Sequence, residues 1–224
     1  NCAVLTVGNA AAITGQPANT TVCEGANAVF TVTGSGSISS YQWQVNTGTG
    51  FTDITGANAA TLTVNAVTAA MSGYLYRVNV FSCTATPITS DAATLTVNTL
   101  AVIGTQPADA TLCLGGNTSF SVAATGTGLS YQWQYAAACG GTFTNIAGET
   151  SATLNLNNVT LANAGAYQVV VTGTCNNVTS SCVTLTVNSP ITISAQPASV
   201  DICLPLNTAS FSVTAAGTGL TYQW

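Results

Sequence analysis

The chain repeats itself every 90 residues, and that period decides most of what it can fold into. Gln16-Pro17 returns as Gln106-Pro107 and Gln196-Pro197, and Cys23 returns as Cys113 and Cys203. Tyr41-Gln42-Trp43 returns as Tyr131-Gln132-Trp133 and again as Tyr222-Gln223-Trp224. Leu5-Thr6-Val7 returns as Leu95-Thr96-Val97 and Leu185-Thr186-Val187. A period of this length is a whole domain rather than a solenoid turn. The phase of the repeat predicts residues 1–8 as the last strand of one domain, complete domains over 9–98 and 99–188, and the first half of another over 189–224. The natural chain is expected to continue in both directions.

Within one repeat the apolar residues alternate with polar ones, the period of a half-buried strand. Ala28, Phe30 and Val32 form one such set; Tyr41, Trp43 and Val45 another; then Leu62 and Val64, Tyr76 to Val80, and Leu95 with Val97. Between them lie turn signals: Glu24-Gly25, Gly34-Ser35-Gly36, Gly48-Thr49-Gly50, Thr55-Gly56 and Ser72-Gly73. No segment of useful length has helical period. The expectation is an all-β chain of sandwiches.

Charge removes many functions. Only 3% of the residues are charged, with Arg77 the one Lys or Arg, no His, and six Asp or Glu. One Arg cannot neutralise a phosphate backbone, so no nucleic-acid partner is expected. Without His there is no Ser-His-Asp or Cys-His site. No metal or other cofactor is expected: there is no Cys-x2-Cys pair and no Asp-x-Asp-x-Asp-Gly loop. The carboxylates are scattered, so the chain is expected not to be an enzyme. No apolar run reaches 18 residues, which argues against membrane insertion in this segment. Asn1 opens no leader pattern, as expected of a mature or internal segment. Eight Cys without metal spacing read as disulfides in an oxidising compartment.

Glu24-Gly25 before a strand, Trp43 on the next, Leu62 to Val64, and Gly165-Ala166-Tyr167 entering a later strand resemble immunoglobulin features. Val-Cys-Glu-Gly, Tyr-Gln-Trp-Gln and Ala-Thr-Leu-Thr-Val make the chain similar to the tandem Ig-like repeats of very large secreted surface proteins of Bacteroidota-type bacteria. The resemblance implies immunoglobulin-like β-sandwich domains in a linear rod, exported to the cell surface, often as an adhesin or filament. It places Trp43 and Trp133 in the core rather than on a sugar platform, and Tyr76 and Tyr167 at the tyrosine corner. It also places Val32, Val78, Val122 and Val169 where antibody-type domains carry their core disulfide. Tyr135 then falls just past strand C, read as a loop anchor, with a ligand contact as the alternative. Arg77 points outward by alternation and is expected to be solvated. Sequons at Asn19, Asn117, Asn158 and Asn177 matter only in a host that glycosylates them.

The cysteines follow from that strand order. Cys23 would lie at the turn before strand B and Cys83 in the F–G turn, at opposite ends of a sandwich. A strand of about eight residues spans roughly 26 Å, and a disulfide needs Cα atoms within about 7 Å. Pairing inside one repeat therefore fails if the topology holds. Instead Cys23 is expected to meet Cys175. Cys83 would look back to the preceding repeat, and Cys113 forward to the next repeat or copy. Cys203 waits for a partner beyond Trp224. Cys139 and Cys182 are extra to the repeat, Cys182 standing where the first repeat has Ala92, and Cys2 matches Cys182. A bond between Cys139 and Cys182 is one reading; a bond between neighbouring chains is the other.

The outward strand positions carry Thr61, Thr63, Thr94, Thr96, Asn155, Asn157, Thr184 and Thr186. Soluble proteins usually keep sheets apart with Lys and Glu. Their absence predicts other copies of the chain as partners, in a structural extracellular fibre, stalk or surface filament. The alternatives are an adhesin whose loops bind glycan or another surface, and a spacer beside an enzyme domain.

Overall fold

The computed structural model describes residues 9–83, 86–202 and 208–224. They form two compact units. The first holds the described residues up to 101 with the short pieces 126–128 and 173–176; the second holds those of 102–125, 129–172 and 177–224.

Ten strands build the first unit: β1 (Ala12–Gly15), β2 (Thr20–Cys23), β3 (Ala28–Thr31), β4 (Thr33–Ser35), β5 (Ile38–Asn46), β6 (Phe51–Asp53), β7 (Thr61–Val64), β8 (Leu75–Ser82), β9 (Ile88–Thr89) and β10 (Ala93–Asn98). One sheet runs β2-β10-β8-β5-β6, with β9 also on β8; β3 pairs with β7, and β1 with β4. Among the described residues of this unit β2 and β10 run parallel, and the other strand pairs antiparallel. The apolar alternation falls on the facing sides: Ala28, Phe30, Val32, Trp43, Leu62, Tyr76, Val78, Val80, Leu95 and Val97 are all buried. Phe30 of β3 stacks on Tyr76 of β8 at 4.7 Å and leans on Trp43 of β5 at 6.4 Å. Those three rings join the two layers, each side chain of this kind contributing about 1.5–3 kcal/mol when fully buried.

The second unit repeats the plan with β11 (Val102–Thr105), β12 (Ala110–Cys113), β13 (Thr118–Ser121), β14 (Ala123–Thr125), β15 (Ser130–Ala136), β16 (Thr144–Asn145), β17 (Thr153–Leu156), β18 (Gly165–Thr172), β19 (Asn177–Thr179) and β20 (Val183–Asn188). Its large sheet runs β12-β20-β18-β15-β16, opposed by β13 and β17. Phe120, Trp133, Tyr167 and Val169 lie at its centre. Beyond it, β21 (Thr192–Ala195) pairs with β22 (Thr214–Ala216). The helical content of the described residues is two single turns, Ala69–Met71 and Leu161–Asn163. No helix among them is long and apolar enough to cross a membrane.

Three expectations need correction. Gly34 and Ser35 are not a turn but lie in β4, paired with β1. Gly34 is small because a Cβ there would sit 3.1 Å from the Ala12 carbonyl oxygen. Tyr135 lies within β15, not past it, half-buried with its hydroxyl donating to the Ala164 carbonyl at 2.9 Å. Arg77 is half-buried rather than solvated: its Nε donates to Gln44 Oε1 at 2.7 Å and its guanidinium lies 3.9 Å over the Phe51 ring.

Candidate functional site: the cysteine staples

In the first unit β2 lies beside β10 with Cys23 opposite Asn98. The chain turns at once, and the Glu24 N–H donates to the Asn98 carbonyl at 2.9 Å. The Glu24 carboxylate accepts from the Ala69 N–H at 3.2 Å, tying this corner to the single helical turn. Onto the corner comes the piece 173–176. Asn176 clamps Ala101 twice, its Oδ1 accepting from the Ala101 N–H at 2.6 Å and its Nδ2 donating to the Ala101 carbonyl at 3.1 Å. Thr174 N–H donates to the Thr127 carbonyl at 2.9 Å, and Thr99 N–H donates to Thr127 Oγ1 at 2.9 Å. Ala101 is left 1% exposed. A Cβ on Gly173 would stand 3.1 Å from the Ala101 Cβ, so only Gly fits without a shift. Cys175, held by these bonds, is joined to Cys23 with the Cα atoms 5.8 Å apart, inside the range a disulfide accepts. The bond links residues 152 apart in sequence.

The second staple joins Cys139 to Cys182, with Cα atoms 5.9 Å apart. In the sheet order, β15 is separated from β20 by β18, so the loop after β15 must cross β18 to reach Cys182. Its passage shows in the burial. Ala136 and Ala166 face each other on the outer side of this sheet, yet are 3% and 0% exposed. The corresponding pair in the first unit, Asn46 and Leu75, is only partly buried.

Cys83 follows β8, Cys113 ends β12, and both are exposed free thiols. Cys2 and Cys203 lie outside the described residues. Trp43 and Trp133 are 0% exposed, which removes them as a sugar platform. Their indole N–H groups donate to the carbonyls of Ala59 and Ser151, each at 2.9 Å. Tyr167 donates to the Asn163 carbonyl at 2.7 Å, the bond that defines a tyrosine corner. Burial, and then the neighbouring Tyr135, push its hydroxyl pKa up to about 12. Tyr76 is shifted upward too, by burial first and Tyr74 second. Val32, Val78, Val122 and Val169 are buried. No group of three or more metal-binding side chains gathers among the described residues.

Several structural side chains escaped the sequence reading. Gln16 and Gln106, noted only as repeat markers, accept from the N–H groups of Asp91 and Ser181 at 2.9 Å each. Asn19 and Asp109 accept likewise from Thr94 and Thr184. Ser90 and Ser180 are buried, and each accepts from a strand N–H, of Val78 and Val169. Gln16 and Ser90 return as Gln106 and Ser180 at the 90-residue spacing, and Asp109 stands at that spacing from Asn19, so the repeat itself marks these positions. On the outer face the first unit builds a row Arg77–Gln44–Asp53, and the second builds the neutral row Gln168–Gln134–Asn145 with the same donors and acceptors.

A family model described as "Domain of unknown function (DUF8696)" matches the chain twice, over residues 11–99 and 102–189. Endoglucanase C of Cellulomonas fimi is 36% identical over 186 residues, which is 82% of this chain and 17% of that protein. The chain thus spans less than a fifth of that relative. Among solved structures, the I-band fragment from titin matches with a TM-score of 0.64 at 16% identity, over 86% of this chain and 70% of that one. DIP-gamma IG1+IG2 matches with a TM-score of 0.54 at 15% identity, over 79% of this chain and 97% of that one. At such identities the likeness concerns the fold: tandem immunoglobulin-like sandwiches.

Proposed function

We propose a structural role outside the cell for this chain, which belongs to the family described as "Domain of unknown function (DUF8696)": its tandem Ig-like repeats form part of a stapled fibre, stalk or surface filament. The observation that carries this reading is the Cys23–Cys175 bond. A cross-link between residues so far apart, braced by the Asn176 clamp, suits a chain that must resist being drawn out. Disulfides persist in oxidising compartments, which supports an extracellular location. The outward Thr and Asn residues offer contact to other copies and little chemistry to a substrate. Negative-stain microscopy of the native full-length protein tests the reading. Filaments or stalks of regular width are expected; compact isolated particles would overturn it.

A second reading is favoured by the likeness to Endoglucanase C, in which the matching stretch is 17% of the protein. There the repeats would be spacers beside a catalytic domain. Extending the sequence beyond both ends separates the two, since a spacer requires a hydrolase domain in the same chain. The adhesin reading is weakened by the loop between β15 and β16, where the repeats differ most. That loop is held down by Cys139–Cys182 rather than presented for binding.

A further inference from the structure

The two units carry matching clefts that differ in one chemical respect. In the first unit the cleft opens between β5, β7 and β8, walled by Val45, Ile54, Leu62 and Val64, with Tyr74 and Tyr76 beside them. Its volume is about 290 Å³. In the second unit Tyr135, Ile146, Leu156 and Tyr167 line a cleft of about 320 Å³. There both phenols are engaged inside the fold, Tyr135 donating to the Ala164 carbonyl at 2.9 Å and Tyr167 to the Asn163 carbonyl at 2.7 Å. In the first unit neither the Tyr74 nor the Tyr76 hydroxyl has a hydrogen-bond partner among the described residues. The length of the corner accounts for the difference. Residues 164–166 separate the helical turn ending at Asn163 from Tyr167, whereas residues 72–75, one more, separate the turn ending at Met71 from Tyr76. With the added residue no carbonyl of the turn receives Tyr76. The side chain is nonetheless only 3% exposed, its ring stacked on Phe30 at 4.7 Å. Among the described residues no side-chain oxygen sealed from solvent lacks a partner. What stays open on Tyr76 therefore includes its hydroxyl, and it opens into the cleft that the residue lines. Burial, and then Tyr74, raise its pKa, so it meets the cleft as a protonated donor at neutral pH. A tyrosine hydroxyl this deeply placed ordinarily finds an acceptor.

We propose that the cleft of the first unit binds a small, uncharged, largely apolar ring compound with an oxygen acceptor, of the cyclic ketone, lactone or aryl ether class, and that the Tyr76 hydroxyl donates to that oxygen. The walls select the body of the ligand. No charged side chain lines the cleft among the described residues, so an ion would lose its water and gain no counter-charge. The aliphatic side chains of Val45, Ile54, Leu62 and Val64 disfavour a sugar as well, since its many hydroxyls would be desolvated against them. Ligand pockets of proteins run from roughly 300 to 1,000 Å³, and a cleft of about 290 Å³ suits a single ring. Tyr76 then fixes the orientation of that ring, and Tyr74 stands beside it as a second donor. The second unit, its phenols already engaged, offers the same walls without the donor. The site goes beyond the structural role and holds whether or not the chain forms a fibre.

Saturation-transfer NMR on the whole chain tests the site with three probes: cyclohexanone, cyclohexane and methyl β-glucoside. Cyclohexanone is expected to bind and methyl β-glucoside to give no signal. In a Tyr76→Phe variant, which keeps the ring and removes the hydroxyl, cyclohexanone should bind about 3- to 10-fold more weakly, the worth of one neutral hydrogen bond. The cyclohexane signal should not change, because the walls are the same. The same variant should unfold at the same temperature as the parent, since this hydroxyl bonds nothing in the fold. Absence of cyclohexanone binding, or binding that Tyr76→Phe leaves unaltered, overturns the proposal. Methyl β-glucoside binding as well as the ketone would reassign the cleft to sugars and overturn it too. A loss of stability as large as that of Tyr167→Phe would show that the Tyr76 hydroxyl is engaged within the fold, with the same consequence.

Discussion

At the position before Val67 the backbone of Ala66 is left-handed, φ 47°, and the matching Asn158 has φ 50°. In both, the N–H is taken by an asparagine side chain, Asn27 or Asn117. Alanine has no reason of its own to adopt this geometry, which costs L-residues roughly 1–2 kcal/mol, whereas Asn tolerates it. Ala66→Asn is therefore expected to raise the stability of the first unit by about 0.5–1 kcal/mol, part of that cost, read from urea unfolding. Tyr167 gives a second test. The fold holds its phenolic proton more tightly than the unfolded chain does, at about 12 against an ordinary 10.0. That contribution is complete below pH 10 and is lost as the pH climbs through about 12. Tyr167→Phe should cost about 1 kcal/mol at neutral pH through the lost bond to Asn163, and should flatten the fall in stability above pH 10. An alkaline unfolding curve as steep as that of the parent would show that the burial of this hydroxyl is not what the fold senses.

The element that separates the two units most is the loop after β15. It is anchored across β18 by the Cys139–Cys182 bond, and Ala136 and Ala166 on that face of the sheet are buried. Replacing both cysteines with Ser should free the loop, open it to elastase, and cost about 2–4 kcal/mol, the usual worth of a native disulfide. Cleavage no faster than in the parent would mean that packing alone holds the loop. How far such elements could be read from sequence depends on whether the signal is local. The strands around Phe30, Trp43 and Val78 were legible because alternation records which side of a strand is buried. The pairing of β1 with β4 was not, because a glycine needed for close approach looks like a glycine needed for a turn. Tyr135 was misplaced by one strand end for a similar reason: nothing beside it announces that Ala164 will receive its hydroxyl. Asn176 was invisible because, in a chain rich in Asn, a clamp on Ala101 has no local mark.

For the whole molecule the question is what replaces the missing charged residues in keeping sheets apart. The large sheets end on short strands, β6 with three residues and β16 with two, and a short edge offers little to pair with. Edge-to-edge growth is thereby restrained, while the broad outer faces carry little charge, the Arg77–Gln44–Asp53 row of the first unit apart, with Thr96 opposite Thr21 and Thr186 opposite Thr111. Copies that associate should do so through these faces, and with little help or hindrance from charge. The net charge is −5 over 224 residues, and Arg77 is already engaged with Gln44 and Phe51. Screening lengths shrink from about 30 Å at 0.01 M salt to about 3 Å at 1 M, so association led by charge would change steeply across that range. Light scattering of the full-length protein is expected to show assemblies whose mass stays nearly constant over it. Dissolution at high salt would assign the contacts to charge instead of to the Thr faces, and a strict monomer at every concentration would remove self-association altogether.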